Sequence, residues 1–361
     1  MRYVRYEETG PDGQPTGREV LIEGRDLAPM GYDALVARTL NRASPITLKL
    51  LDAQVVKSSM EEMPPGNASF LETTVGTDIT VRHIGLVRGG WLPAGLAVTT
   101  GNVIMPDRCT LTELRGRFKA GGMEKVGRDF VDWLDDPNAR INPVLLALEG
   151  NQREYPTGAQ IESQMAEHVG LLRSLLPQAT IIGDAPEVMA AIKQLAEEQR
   201  APSERTIEFL LATAPLLRHQ VSRERLPSVM GAIAEAARRR GLSLTDIAVA
   251  CAMSAAAVSG GRNAAKRALK FTVPSYSRQD AFNAMADLRS LKAFAALLAV
   301  VPTGRPVLCT SDKDLALVWC GLNLAEFNAG EGAPVVKARP LDAFLPPAAG
   351  QIYQGLMEDH P

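Results

Sequence analysis

The spacing of hydrophobic positions changes several times along the 361 residues. Near the N-terminus, Tyr3-Val4-Arg5-Tyr6 and Glu19-Val20-Leu21-Ile22 flank the turn signal Gly10-Pro11-Asp12-Gly13, which predicts a β-hairpin. Residues 32–51 place Leu35, Val36, Leu40, Leu48 and Leu51 at helical spacing, interrupted at Pro45. Short strands follow at Thr80-Val81-Arg82 and Ile84-Gly85-Leu86-Val87. Residues 1–97 therefore read as a small N-terminal α+β unit of unassigned role.

The pattern then shifts. The apolar run from Ala97 through Val103-Ile104-Met105-Pro106 ends at Asp107, and Thr110-Leu111-Thr112-Glu113-Leu114 opens a helix. Residues 142–150 read as a helix with Pro143 early and Gly150 behind it. From 160 to 269 the spacing is helical almost throughout, notably over 161–175, 188–199, 204–217 and 229–240. A long amphipathic helix is expected over 279–300. A strand over 305–310 then runs into Ser311-Asp312-Lys313-Asp314-Leu315, and a helix or strand follows over 316–321. The tail after Ala329 is rich in Pro, Ala and Gly and reads as loop. The expected fold is α/β: a central, mostly parallel sheet flanked by helices, built from 98–155 and 270–328. The helical stretch 156–269 is then an insertion, 1–97 a separate unit and 329–361 a loop-rich tail.

Composition is that of an ordinary globular chain, with 46% hydrophobic and 22% charged residues and a net charge of −2. Charge is uneven, however. Ten basic side chains face three acidic ones between Arg218 and Lys270, and six face two between Arg108 and Arg128. The four cysteines lie far apart without a Cys-x-x-Cys pair, which favours free thiols in a reducing compartment over zinc or disulfides. With four histidines, one of them His360, a histidine-rich metal site is disfavoured. No signal core or membrane-length apolar run occurs, so a cytoplasmic protein without membrane contact is expected.

Two segments share one grammar of apolar strand, acid and helix: Val103-Ile104-Met105-Pro106-Asp107 and Val307-Leu308-Cys309-Thr310-Ser311-Asp312. In one parallel sheet their acids would emerge at the same edge, where open α/β sheets bind ligands. Glu149 closes an apolar helix face, and Asp287 sits inside another. Acids among apolar neighbours are costly unless paired or neutralised. A divalent cation would relieve the mutual repulsion of the four, and oxygen-only donors select Mg2+ or Mn2+.

This order of acids resembles the PIN-like nuclease superfamily. Asp107 matches the acid after its first strand, and Glu149 the second acid, 42 residues on. Asn283-Ala284-Met285-Ala286-Asp287-Leu288 matches the helical acid. Thr310-Ser311-Asp312-Lys313-Asp314-Leu315 matches the T-x-D-x-D/N segment, with Asp312 as ligand and Asp314 as accessory. The resemblance implies Mg2+- or Mn2+-dependent hydrolysis of phosphodiester bonds in single-stranded nucleic acid, RNA ahead of DNA. A toxin or antiphage effector with a regulatory protein partner fits that implication. Two departures stand out: Asp107-Arg108-Cys109 replaces the usual Asp-Thr-Asn, and about 137 residues separate Glu149 from Asp287.

Each residue also has a plainer reading. Asp107, Asp312 and Asp314 are good helix caps. Glu149 and Asp287 suit solvated helix positions, and Asp280 rivals Asp287. Thr310 and Ser311 either orient a ligand carboxylate or cap a strand end. Arg108, Arg115, Arg117 and Lys119, beside Gly116 and Gly121-Gly122, would grip phosphates from a mobile loop or form a solvated face. A catalytically inactive regulatory protein on the same scaffold is the first alternative. A metal-dependent sugar-nucleotide transferase using Asp312 and Asp314 is the second.

Overall fold

A computed structural model describes residues 2–24, 26–98, 101–119, 127–149, 155–183, 185–260, 263–300, 305–329 and 334–358. Three sheets are present among them. Strands β1 (Arg2–Thr9), β2 (Pro15–Gly24), β3 (Asp26–Leu27), β4 (Ile46–Ser58) and β5 (Gly66–Val75) form an antiparallel sheet in the order β1-β2-β4-β3, with β5 on the other part of β4. Strands β6 (Ile84–Val87), β7 (Gly90–Pro93), β8 (Val103–Pro106), β9 (Arg140–Ile141), β10 (Thr180–Ile181) and β11 (Pro306–Thr310) form a mixed sheet in the order β10-β9-β8-β11-β6-β7. Strands β12 (Leu324–Ala329) and β13 (Pro334–Ala338) pair as a hairpin.

The expected single central, mostly parallel sheet is therefore corrected. One sheet is antiparallel throughout, and the other joins a parallel run, β10 to β11, to an antiparallel pair, β6 and β7. The cause is visible in the pattern. Along β4, Ile46, Leu48 and Leu50 are buried at every second position, the period of a strand with one covered face. Only Tyr32–Ala37 of the helix expected over 32–51 forms, because period two takes over after Pro45. The expected hairpin around residues 10–13 forms as β1 and β2 in the first sheet, while the turn at Gly89-Gly90 sends β7 back along β6, so the end of the expected N-terminal unit belongs to the second sheet. Gly90 is required there: its φ is +156°, and a Cβ would lie 2.2 Å from the Met30 carbonyl oxygen.

The mixed sheet is covered on both faces. Leu86, Met105 and Leu308 join one core, while Ile104, Ile141, Val307 and Cys309 join another. Each such aliphatic side chain contributes about 1.5–3 kcal/mol by leaving water. A third, smaller core of Val20, Ile22, Leu50 and Val55 belongs to the antiparallel sheet.

Helices Gly158–Leu175, Leu226–Arg238, Ile247–Ala257 and Arg278–Val300 fall where the spacing places them. Helix Pro186–Leu217 runs unbroken where two shorter helices are expected, with Pro202 and Pro215 inside it. The tail is not loop: besides β13, Pro347–Glu358 is a helix whose Tyr353 is buried with its hydroxyl on the Leu244 carbonyl. Among the described residues no helix is long and apolar enough to cross a membrane.

Candidate functional site

Strands β8 and β11 are parallel neighbours, with Cys309 level with Pro106. From β8 the chain builds outward to β9 and β10 on one side, while β11 enters on the other. This is a topological switch point, where the loops leaving adjacent strands part and open a crevice. The residues leaving the two strands there are Asp107 and, two beyond Thr310, Asp312. Neighbouring strands lie about 4.8 Å apart, so the register alone brings these acids to one edge.

Both acids cap helices. Asp107 Oδ1 accepts from the Thr110 N–H at 2.7 Å at the start of helix Arg108–Arg117. Asp312 Oδ1 accepts from the Asp314 and Leu315 N–H groups at 2.8 and 3.0 Å at the start of helix Lys313–Leu322. Thr310 links them: its Oγ1 accepts from the Asp312 N–H at 3.0 Å and its side chain hydrogen-bonds Asp107. Ser311 lies between, half-buried. Capping and convergence are thus two results of one strand-acid-helix grammar.

Glu149 ends helix Val144–Glu149. Arg289, buried in helix Arg278–Val300, donates through Nη2 to the Leu148 carbonyl at 2.7 Å and the Glu149 carbonyl at 3.3 Å. This ties the end of the Glu149 helix to the helix that carries Asp287. Arg108 Nε approaches Glu149 at 3.9 Å, and Lys270 Nζ approaches Asp287 at 4.0 Å.

The electrostatics join all four acids. Burial raises the Asp107 carboxyl above its ordinary value, against the lowering effect of the Thr310 and Thr110 hydrogen bonds. Burial likewise raises Glu149, with Arg108 opposing and Asp107 reinforcing the shift. Asp287 is pushed up to about 7, by burial first and then by Asp312, Glu149 and Asp107, against Lys270. The Cys109 thiol, two residues past the first acid, is pushed up to about 12 by desolvation first and then by Asp107, Asp312, Asp287 and Glu149.

Other expected residues fall elsewhere. Asp314 is held by Arg267 through a two-pronged pair at 2.6–3.0 Å and faces that guanidinium. Asp280 accepts from the N–H and hydroxyl of Ser277 at the start of its helix. Arg117 is no phosphate grip. Its side chain is 1% exposed and donates to both Asp132 oxygens at 2.7 and 2.8 Å, with further bonds to Glu113 and the Gly127 carbonyl. Arg108, Arg115 and Lys119 do reach the surface. The Gly121-Gly122 part of the expected loop lies outside the described residues.

Residue-by-residue reading overlooked Lys270, Arg289, Cys109 and a buried His83–Asp129 pair. Asp129 accepts from the Thr80 hydroxyl, the Arg82 and Val131 N–H groups and His83 Nδ1, the last at 3.3 Å. His83 in turn favours the ionised form of Asp107, while its buried Nε2 has no hydrogen-bond partner among the described residues. Only Arg289 carried a signal, a cation two positions after the helical acid.

As a donor set, the four carboxylates suit a hard divalent cation, since all their donor atoms are oxygens. Among the described residues no three His, Cys, Asp or Glu side chains are yet drawn together around one ion position. Comparisons with protein-family models, curated proteins and solved structures found no match.

Proposed function

We propose that the chain is a Mg2+- or Mn2+-dependent nuclease that hydrolyses phosphodiester bonds in single-stranded nucleic acid, RNA in the first instance. The observation that supports this is the parallel register of β8 and β11, which brings Asp107 and Asp312 to one sheet edge with Thr310 hydrogen-bonded to both. Glu149 and Asp287 come from two further elements that Arg289 ties together, and carboxylates held beside one sheet edge are what a divalent cation would neutralise. When bound, a divalent cation neutralises the carboxylates and polarises a phosphoryl oxygen.

The chain's own groups have separable roles in this reading. Asp107 and Asp312 are held in fixed rotamers by their caps and by Thr310, which orients them for a shared ligand. Arg289 fixes the end of the Glu149 helix. Asp287, near 7, is the acid whose protonation changes around neutrality. Arg108, Arg115 and Lys119 supply cationic surface beside the first acid for the phosphate backbone.

The test is cleavage of labelled single-stranded RNA with Mn2+. Wild-type protein should cut, and Asp107→Asn and Asp312→Asn should each lose about 100-fold or more in rate. No cutting by the wild type, or cutting by either variant at the wild-type rate, would contradict the proposal. A second reading, a protein that has kept the acids but lost catalysis, is favoured by the open arrangement of the carboxylates. It predicts Mn2+ binding without cleavage.

A further inference from the structure

A cleft of about 410 Å³ lies between the end of helix Pro186–Leu217 and the 271–276 turn. That is within the range of about 300–1,000 Å³ for small-ligand sites. Its walls include Pro215, Arg218 and His219 on one side and Phe271, Ser275 and Tyr276 on the other, and no acid lines it. Arg218 and His219 are exposed, and among the described residues neither has an ion-pair partner. Lys266 Nζ donates to the Arg218 carbonyl at 3.1 Å, adding another cation to the rim. The Tyr276 ring is fixed: its hydroxyl donates to the Leu269 carbonyl at 3.0 Å, and it packs edge-on to Phe271 at 5.1 Å. The basic stretch 218–270 therefore begins and ends at one cleft that also offers an aromatic wall.

One wall of the cleft is next in sequence to a lysine that approaches one of the acids. Phe271 directly follows Lys270, whose Nζ lies 4.0 Å from Asp287. An exposed guanidinium such as Arg218 attracts a phosphate, and a fixed aromatic ring beside it suits a nucleobase; this pairing is how single strands are held without sequence readout. We propose that the cleft seats one nucleotide of a single-stranded nucleic acid, its phosphate on Arg218 and its base against Tyr276. The proposal rests on the nuclease reading for its substrate class and adds a second contact for that substrate.

The test is fluorescence anisotropy with a fluorescein-labelled single-stranded oligouridylate in EDTA, where binding is read without cutting. Arg218→Ala and Ser275→Glu alter exposed positions and leave the packing intact. Each should weaken binding about tenfold, and Arg218→Ala should flatten its salt dependence. Tyr276→Leu should weaken it by roughly 5- to 100-fold, while Tyr276→Phe keeps the ring and most of the affinity. Failure of the wild type to bind would overturn the proposal. So would binding by Arg218→Ala and Ser275→Glu within about twofold of wild type. Oligonucleotide bound through the cleft but never cut with Mn2+ would sink the nuclease reading alone. Cutting together with unchanged binding in the cleft variants would sink the cleft alone.

Discussion

Asp287 has the most informative titration in the molecule. Its folded-state pKa, about 7, lies above the ordinary 3.8, so the folded chain holds that proton more tightly than the unfolded chain does. Its stabilising contribution is complete below the unfolded value and is lost as pH rises through 7. Asp287→Asn removes the repulsion but keeps the shape. In metal-free buffer above pH 7, thermal melting should show this variant more stable than wild type by about 1 kcal/mol, discounted for a partly exposed side chain. The gap should close in acid; a variant less stable than wild type at alkaline pH would contradict the assignment. Cys109 reports the same field. Held near 12, its thiol stays protonated at neutral pH. A bound divalent cation cancels the carboxylate part of that shift, so iodoacetamide should label Cys109 faster with Mg2+ than without. Cys251, Cys309 and Cys320 are buried and will not obscure the signal. Labelling that Mg2+ leaves unchanged would count against a cation at the acids.

At the scale of elements, helix Arg108–Arg117 has two jobs. Its N-terminus is set by Asp107, and its last residue, Arg117, anchors it from below through Asp132. Arg117→Met leaves Asp132 without its partner and should cost about 3 kcal/mol, read as a lower urea midpoint. Arg115→Met, at an exposed position, should stay within about 0.5 kcal/mol of wild type. Equal effects of the two substitutions would refute the anchoring role. The elements around the acids were legible in sequence because they are short apolar strands ended by cap-forming acids. Long amphipathic helices such as Arg278–Val300 were legible for a similar reason: their period is repeated over many turns. What was not legible came from pairing. The hydrophobicity of Ile84-Gly85-Leu86-Val87 shows a strand but not that it lies antiparallel to β11. Leu48 and Leu51 fit a helix as well as a strand until β5 pairs with β4 and settles the period. Arg117 and Arg115 look alike in sequence, and only the fold buries one of them.

For the whole molecule, the antiparallel sheet, the mixed sheet and the helical block 156–269 meet the acids unequally. The mixed sheet supplies Asp107 and Asp312 from its two central strands, and helices on one face supply Glu149 and Asp287. The helical block contributes one wall of the cleft, with Arg218, and the 271–276 turn that follows Lys270 contributes the other. The order of the four acids was readable. The register that brings two of them to a switch point was not, because it depends on which strand lies next to β8.

The most direct test is a calorimetric titration of the wild-type protein with Mn2+ above pH 7, alongside Asp107→Asn, Asp287→Asn and Asp312→Asn. If four carboxylates share one cation, the wild type takes up Mn2+ and each substitution weakens that binding by about tenfold or more, a loss of at least ~1.4 kcal/mol apiece. No uptake by the wild type, or uptake that none of the three substitutions changes, would contradict it.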